Sequence, residues 1–309
     1  MRQTQPAHIR YQPKPLAPFR NLDSWLYSNP MGESLLQDLL ATKGAIVASW
    51  IVLALAIEQW RPAAPPPIHL AGYGAAWFKR WGRNLGFFIL NAALSALFVL
   101  PVTVWAALHA PWSRAELLAW PDQLELWAWL PFDILLLEFW IYWWHRANHE
   151  WPFLWRFHEV HHRDRHLDAT TALRFHFGEV ALSAAVRAVV IMAFAIPLTS
   201  VIVFEILVLV ASVFHHANWR IPPALERRLA RLIITPSRHW VHHHRVRADT
   251  DSTYGTIFSF WDRWFGTTTP TERRPLMPLG VEGQEELPLI ALIKRPAASA
   301  AGVRHPKAG

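Results

Sequence analysis

Read by its apolar and polar positions, the chain has a polar start, four long apolar blocks and a polar end. Residues 1–43 are polar, basic and proline-containing, with no apolar run near Met1, so no cleavable signal peptide is expected. Gly44–Trp60 is close to one bilayer crossing, which takes about 20 apolar residues. Arg61 and the PAAPPP run then end it, because proline cannot continue a helix. A basic loop with Lys79, Arg80 and Arg83 leads to a second span at Leu85–Ala110, and a third runs from about Leu124 to Trp144. The fourth block, Val180–Phe214, is too long for a single crossing and suits two short helices turning near Pro197, Thr199 and Ser200. A hairpin there keeps the histidine motifs before and after it on one side of the membrane.

Composition sharpens this picture. Of 309 residues, 52% are apolar and 17% charged, against roughly 25% charged in an ordinary soluble domain. The net charge of +7 does not point to nucleic acid, because the basic residues flank apolar runs, as they do beside a membrane. The 19 tryptophans fit membrane–water boundaries. Basic residues also orient the chain: segment 145–179 carries five arginines and 218–247 seven, whereas Pro111–Gln123 carries only Arg114. The two Arg-rich segments are therefore expected on the cytoplasmic side.

The chain has 17 histidines and no cysteine. Disulfides, thiolate catalysis, iron–sulfur clusters and Cys-containing zinc motifs are excluded. Any bound metal must be held by nitrogen and oxygen. His145 and His149 stand at i, i+4, while His158, His161, His162 and His239, His242, His243 both stand at i, i+3, i+4. Each set shares one helical face. Eight imidazoles at one membrane surface are costly unless something takes up their lone pairs. A mononuclear zinc site needs three or four ligands, so the number points to two metal ions, with zinc, copper, iron and nickel all open.

The order HxxxH, HxxHH, HxxHH on a multi-pass chain resembles the fatty acid hydroxylase and sterol desaturase superfamily of membrane di-iron enzymes. DILLLEFWIYWWHRANHEWPFLWRFHEVHH, Thr170–Glu179 (TTALRFHFGE), Phe214–Asn218 (FHHAN), Tyr254-Gly255 and Trp261–Thr267 (WDRWFGT) carry that resemblance over about 130–268. It implies His145, His149, His158, His161, His162, His239, His242 and His243 as ligands, and adds His176 and His216. Phe177 and Thr253 depart from the pattern, standing where proline and asparagine are common. Arg174, Glu179 and Asp262 are expected to support the site, with Glu150 and Glu159 as further carboxylates able to orient imidazoles. His166, His215 and His244 are expected not to coordinate, and His8, His69, His109 and His305 to be incidental.

The resemblance further implies two iron ions, O2 as cosubstrate, a lipid substrate (fatty acyl, sterol or alkylglycerol type) entering from the bilayer, and hydroxylation or desaturation. No H-P-G-G haem motif or Gly-rich dinucleotide fingerprint is present, so a separate electron donor is expected: a reductase, ferredoxin, cytochrome or reduced pterin. A membrane metal transporter or storage protein and a di-zinc membrane hydrolase are the rival readings. The expected fold is an all-α integral membrane protein. It has four to five transmembrane or re-entrant helices and a cytoplasmic helical cap holding a histidine-rich dimetal site. Its expected parts are a polar segment (1–43), N-terminal transmembrane helices (44–123), a catalytic domain (124–269) and a polar tail (270–309).

Overall fold

A computed structural model of the chain describes residues 30–66, 74–112 and 126–299. His8, His69, His305 and most of the Pro111–Gln123 connection lie outside the described residues. The described residues are helical, with isolated bridges such as Pro62 with Trp219 as the β pairing. The main helices are α1 (Pro30–Trp60), α2 (Ala75–Leu108, with a π-helical turn at Ser95–Val99), α3 (Leu126–Glu150), α4 (Pro152–His162), α5 (Phe177–Ala193) and α6 (Leu198–His216). The smaller α7 (Pro223–Leu229), α8 (Pro236–His242), α9 (Arg247–Thr250), α10 (Phe260–Trp264) and α11 (Leu289–Ser299) follow. The π turn in α2 immediately precedes Pro101. Proline lacks the N–H that would continue the α-helical ladder, and a widened turn absorbs the loss.

Among the described residues, three helices are long and apolar enough to cross a membrane: Gln37–Trp60 within α1, α2, and α6. Their outer faces are apolar, with Val52 67% and Leu97 81% exposed. The expected first span sits at the end of a longer helix. The expected second span begins ten residues earlier than its apolar run, because Lys79, Arg80 and Arg83 are helical rather than in a loop. The helix is longer because Arg80 and Asn84 point into protein and are buried there.

The third expected span is different in kind. α3 continues from Leu126 through the first histidine pair and is not among the three candidates. Asp133 and Glu138 interrupt its apolar run, and both are fully buried. Glu138 Oε1 accepts the backbone N–H groups of Thr256, Ile257 and Phe258 at 3.3, 2.7 and 3.0 Å. The carboxylate thus caps a loop that would otherwise bury unpaired donors, while Phe132, Leu135, Phe139 and Trp143 form an exposed apolar face on α3.

The fourth block does form a hairpin. Residues 194–197 turn the chain, with Ala195 in the left-handed region (φ 47°) and Pro197 as the N-cap of α6. Ile134 and Leu137 of α3 pack there with Ile191, Ile196, Val201 and Phe204. The start of α5 and the end of α6 consequently lie at the same end of the bundle.

At that end two buried polar networks pin the segments that follow α4 and α6 to α1 and α2. Glu58 near the end of α1 accepts the N–H groups of Ala169 and Asn218, both at 2.8 Å. Arg80, 1% exposed, binds both oxygens of Asp164 at 2.7 and 2.8 Å, Asp168 at 2.6 Å, Thr171 Oγ1 at 2.9 Å and the His166 carbonyl at 2.6 Å. Residues 270–299, the described part of the C-terminal segment, pack on this body. Leu292 of α11 joins Phe87 and Val160 in a buried cluster. Arg295 bonds Glu159 and Glu286 pairs with Arg174, so this segment ties to α4 through charge as well.

Candidate metal centre

Among the described residues, nine histidines converge at this end of the bundle. His145 and His149 come from the end of α3, and His158, His161 and His162 from α4. His216 ends α6, His239 and His242 lie on α8, and His243 is its C-cap. They form two groups: His145, His149, His158, His162 and His242 in one, and His161, His216, His239 and His243 in the other, the candidate ligand atoms of each lying within 4.8 Å of one another. The groups are neighbours, with the rings of His162 and His243 stacked at 4.3 Å. On α4, His158 and His162, one turn apart, serve one group, while His161 between them serves the other.

Hydrogen bonds fix the ring tautomers. Six Nδ1 atoms face acceptors: His145 to the Tyr254 carbonyl (2.8 Å), His149 to Asp251 (3.3 Å), His158 to Glu179 (2.9 Å), His161 to the Arg174 carbonyl (3.2 Å), His216 to the Ser212 carbonyl (2.7 Å) and His242 to the Ser252 carbonyl (2.6 Å). A carbonyl or carboxylate can only accept, so Nδ1 carries the proton and Nε2 a lone pair. The Nε2 lone pairs of His161 and His216 face one another at 3.0 Å. Nε2 atoms of His162, His239 and His243, rings whose Nδ1 has no partner, lie 3.2, 2.9 and 3.2 Å from those of His158, His216 and His239. His149 Nε2 and His242 Nε2 are buried with no hydrogen-bond partner at all.

Charging the rings does not resolve this. Burial first, and then the neighbouring imidazoles, hold His161, His162, His239, His242 and His243 well below the ordinary value of 6.5. They are neutral donors at neutral pH. Metal–nitrogen bonds of about 2.1 Å place neighbouring ligand atoms about 3.0 Å apart in an octahedron and about 3.4 Å apart in a tetrahedron. The close Nε2 separations of 2.9 to 3.2 Å are of the size that ligands of one cation show. The donor set thus fits a cation in each group.

His176 stands outside both groups. Its Nδ1 accepts the Gly178 N–H at 3.0 Å as the N-cap of α5, and its Nε2 faces the Ile293 carbonyl at 3.0 Å. Both ring nitrogens are thus engaged with backbone, leaving none to offer. His166 is packed between Trp77 and Trp240, His244 faces Asp249, and His215 faces the Thr256 carbonyl with its ring 3.9 Å from that of His239. His109 faces the carbonyl of Trp105.

The three expected supporting residues act at different removes. Glu179 touches a ring directly. Arg174 offers its carbonyl to His161, while its guanidinium is held by the Val160 carbonyl and Glu286. Asp262 touches no imidazole; it accepts the N–H groups of Tyr254 and Gly255 and the Thr267 hydroxyl, which fixes the Tyr254 carbonyl for His145. Gly255 permits this approach, since a Cβ there would lie 2.5 Å from the Phe258 carbonyl and 2.9 Å from Asp262. Glu150 and Glu159 pair with arginines.

Loop 251–255 is the feature sequence reasoning missed: Asp251, the Ser252 carbonyl and the Tyr254 carbonyl serve three rings of one group. Thr253 at its centre adopts φ 57°, and its hydroxyl is buried without a partner. A β-branched residue is strained there, whereas asparagine tolerates it. Thr253→Asn is expected to stabilise the protein by about 0.5–1 kcal/mol, read as a raised melting midpoint in detergent. An unchanged or lowered midpoint contradicts the strain.

Residues 130–267 match the family model described as Fatty acid hydroxylase. The ornithine lipid hydroxylase OlsE of Rhizobium tropici is 27% identical over 239 residues, 74% of this chain and 70% of its own length. Alkylglycerol monooxygenases of Caenorhabditis elegans and Xenopus tropicalis are 30% and 34% identical over 64% and 54% of this chain. Those matches span 34% and 36% of the two monooxygenases' own lengths. No solved structure matches the chain. The histidine-rich segment 130–267 is thus a fatty acid hydroxylase domain by this match, and the relatives that share it are lipid hydroxylases and monooxygenases.

Proposed function

We propose that the protein is a multi-pass membrane di-iron oxygenase that hydroxylates a lipid. The observation that carries this is the convergence of nine imidazoles, six with the tautomer set by an acceptor behind the ring, into two adjacent groups. His145, His149, His158, His162 and His242 would hold one iron, and His161, His216, His239 and His243 the other. Five imidazoles exceed the tetrahedral four that suit zinc, which favours iron over a di-zinc hydrolase. Bound iron supplies the O2 chemistry that inserts oxygen into an unactivated C–H bond.

The chain's own residues do the rest. Glu179 and Asp251 keep Nδ1 protonated in His158 and His149, so that Nε2 stays available and the rings cannot rotate. Burial of the centre excludes bulk water. The site lies at the end of α6, one of the candidate spans, where a lipid chain can reach it from the bilayer. The five arginines of 145–179 and seven of 218–247 support a cytoplasmic location for this end. The names of the relatives support a lipid substrate and hydroxylation over desaturation. The electrons come from a separate donor.

Asp251→Asn leaves a hydrogen-bond acceptor but removes the charge behind His149. It is expected to weaken iron binding about 10- to 100-fold, measured by chelator competition; unchanged affinity contradicts the role of Asp251. The function itself is tested by expressing the protein in an aerobic host with a compatible reductase and profiling lipids under 18O2. A lipid species carrying one labelled oxygen, absent from the His242→Ala variant, is expected. A lipidome indistinguishable from that of the variant overturns the proposal.

A further inference from the structure

A cavity of about 300 Å3 lies on the flank of α8, away from the two histidine groups. Its polar lining comes from Arg165, His166, Trp240 and Arg245, and its apolar wall from Pro65 and the strap 275–279. Among the described residues no carboxylate lines it. The charge around it is lopsided: the Arg273 guanidinium sits 3.9 Å over the Trp240 ring, and Arg165 is countered by Glu285, whose side chain is 84% exposed. The indole N–H of Trp240, a residue 2% exposed, and the Arg245 Nε–H are both buried without an acceptor. Two such donors are costly unless something accepts from them.

We propose that this cavity binds a compact organic anion, a carboxylate or phosphate group carried on an apolar or aromatic body. The guanidinium groups supply forked, charge-assisted donors for an oxyanion, and the proline-rich strap supplies the apolar contact. The volume is at the small end of ligand pockets, which limits the body to about one ring. Trp240 follows His239 by one residue and so leaves α8 roughly a quarter-turn from the face that bears His239 and His243. The cavity is therefore distinct from the metal centre, and its occupancy is read without reference to oxygenase activity.

The test is calorimetric titration of the full-length protein in detergent with benzoate, phenyl phosphate and uncharged benzamide. At least one of the anions is expected to bind saturably, one per chain, and more weakly at high salt. Benzamide and the Arg245→Gln variant are each expected to weaken binding by about tenfold or more. Saturable binding by neither anion, equal binding of benzamide, or unchanged affinity in both Arg245→Gln and Arg165→Gln overturns the proposal. Should Arg245→Gln fail to fold, Arg165→Gln and the comparison of benzoate with benzamide in the unaltered protein still decide it.

Discussion

Alanine at His239 is expected to lower bound iron from about two per chain to about one and to reduce hydroxylation by at least about 100-fold, since even residues behind the ligands are worth 10- to 100-fold in metal affinity. His239 is a sensitive position because its Nε2 is 2.9 Å from that of His216 and 3.2 Å from that of His243, so its loss leaves the smaller group with three imidazoles. The paired control is His176→Asn. Asparagine keeps an N-cap for α5, and His176 has both nitrogens on backbone, so this variant is expected to retain both irons. Iron measured by mass spectrometry on both variants decides the assignment. Retention by His239→Ala, or loss of one iron by His176→Asn, contradicts it.

Arg80→Met is expected to have the largest effect on stability. Arg80 neutralises Asp164 and Asp168 in a site where all three are buried. An isosteric apolar side chain removes the cation and leaves two buried carboxylates without the counter-charge bonded to them. Breaking a buried ion pair from one side costs about 3–5 kcal/mol, enough to drop the melting midpoint sharply or prevent accumulation in the membrane. The damage is transmitted to the centre, because segment 163–173 joins α4 to Arg174, whose carbonyl holds His161. Adding Asp164→Asn and Asp168→Asn to Arg80→Met is expected to recover part of the loss. A single variant as stable as the unaltered protein contradicts the network's role.

Much of the candidate centre was legible because helical spacing is arithmetic. Intervals of three and four residues put His158, His161 and His162 on one face of α4, and the same intervals recur at His239. How those histidines divide between two groups was not legible, since it depends on where α3, α6 and α8 meet α4. His176 illustrates the limit of motif matching: the family pattern adds it to the ligands, yet here its Nδ1 caps the helix. Loop 251–255 was missed because two of its three contributions come from backbone carbonyls, which leave no mark in side-chain chemistry. The two acids in the apolar run of α3 signal a face turned into protein, and their partners, three loop N–H groups in the case of Glu138, could be seen only in the folded chain. The tail beyond Thr269 is proline-spotted and polar in composition, which hid the Leu289–Ser299 helix and its packing on α4.

The central claim is that nine histidines hold two iron ions. The most direct measurement is the metal content of the full-length protein purified from iron-replete cells, with Mössbauer spectra of the 57Fe-enriched sample. The expected result is about two irons per chain in nitrogen-rich, high-spin sites, falling to about one in His239→Ala. A single metal ion per chain, or zinc in place of iron under iron-replete conditions, would contradict the account.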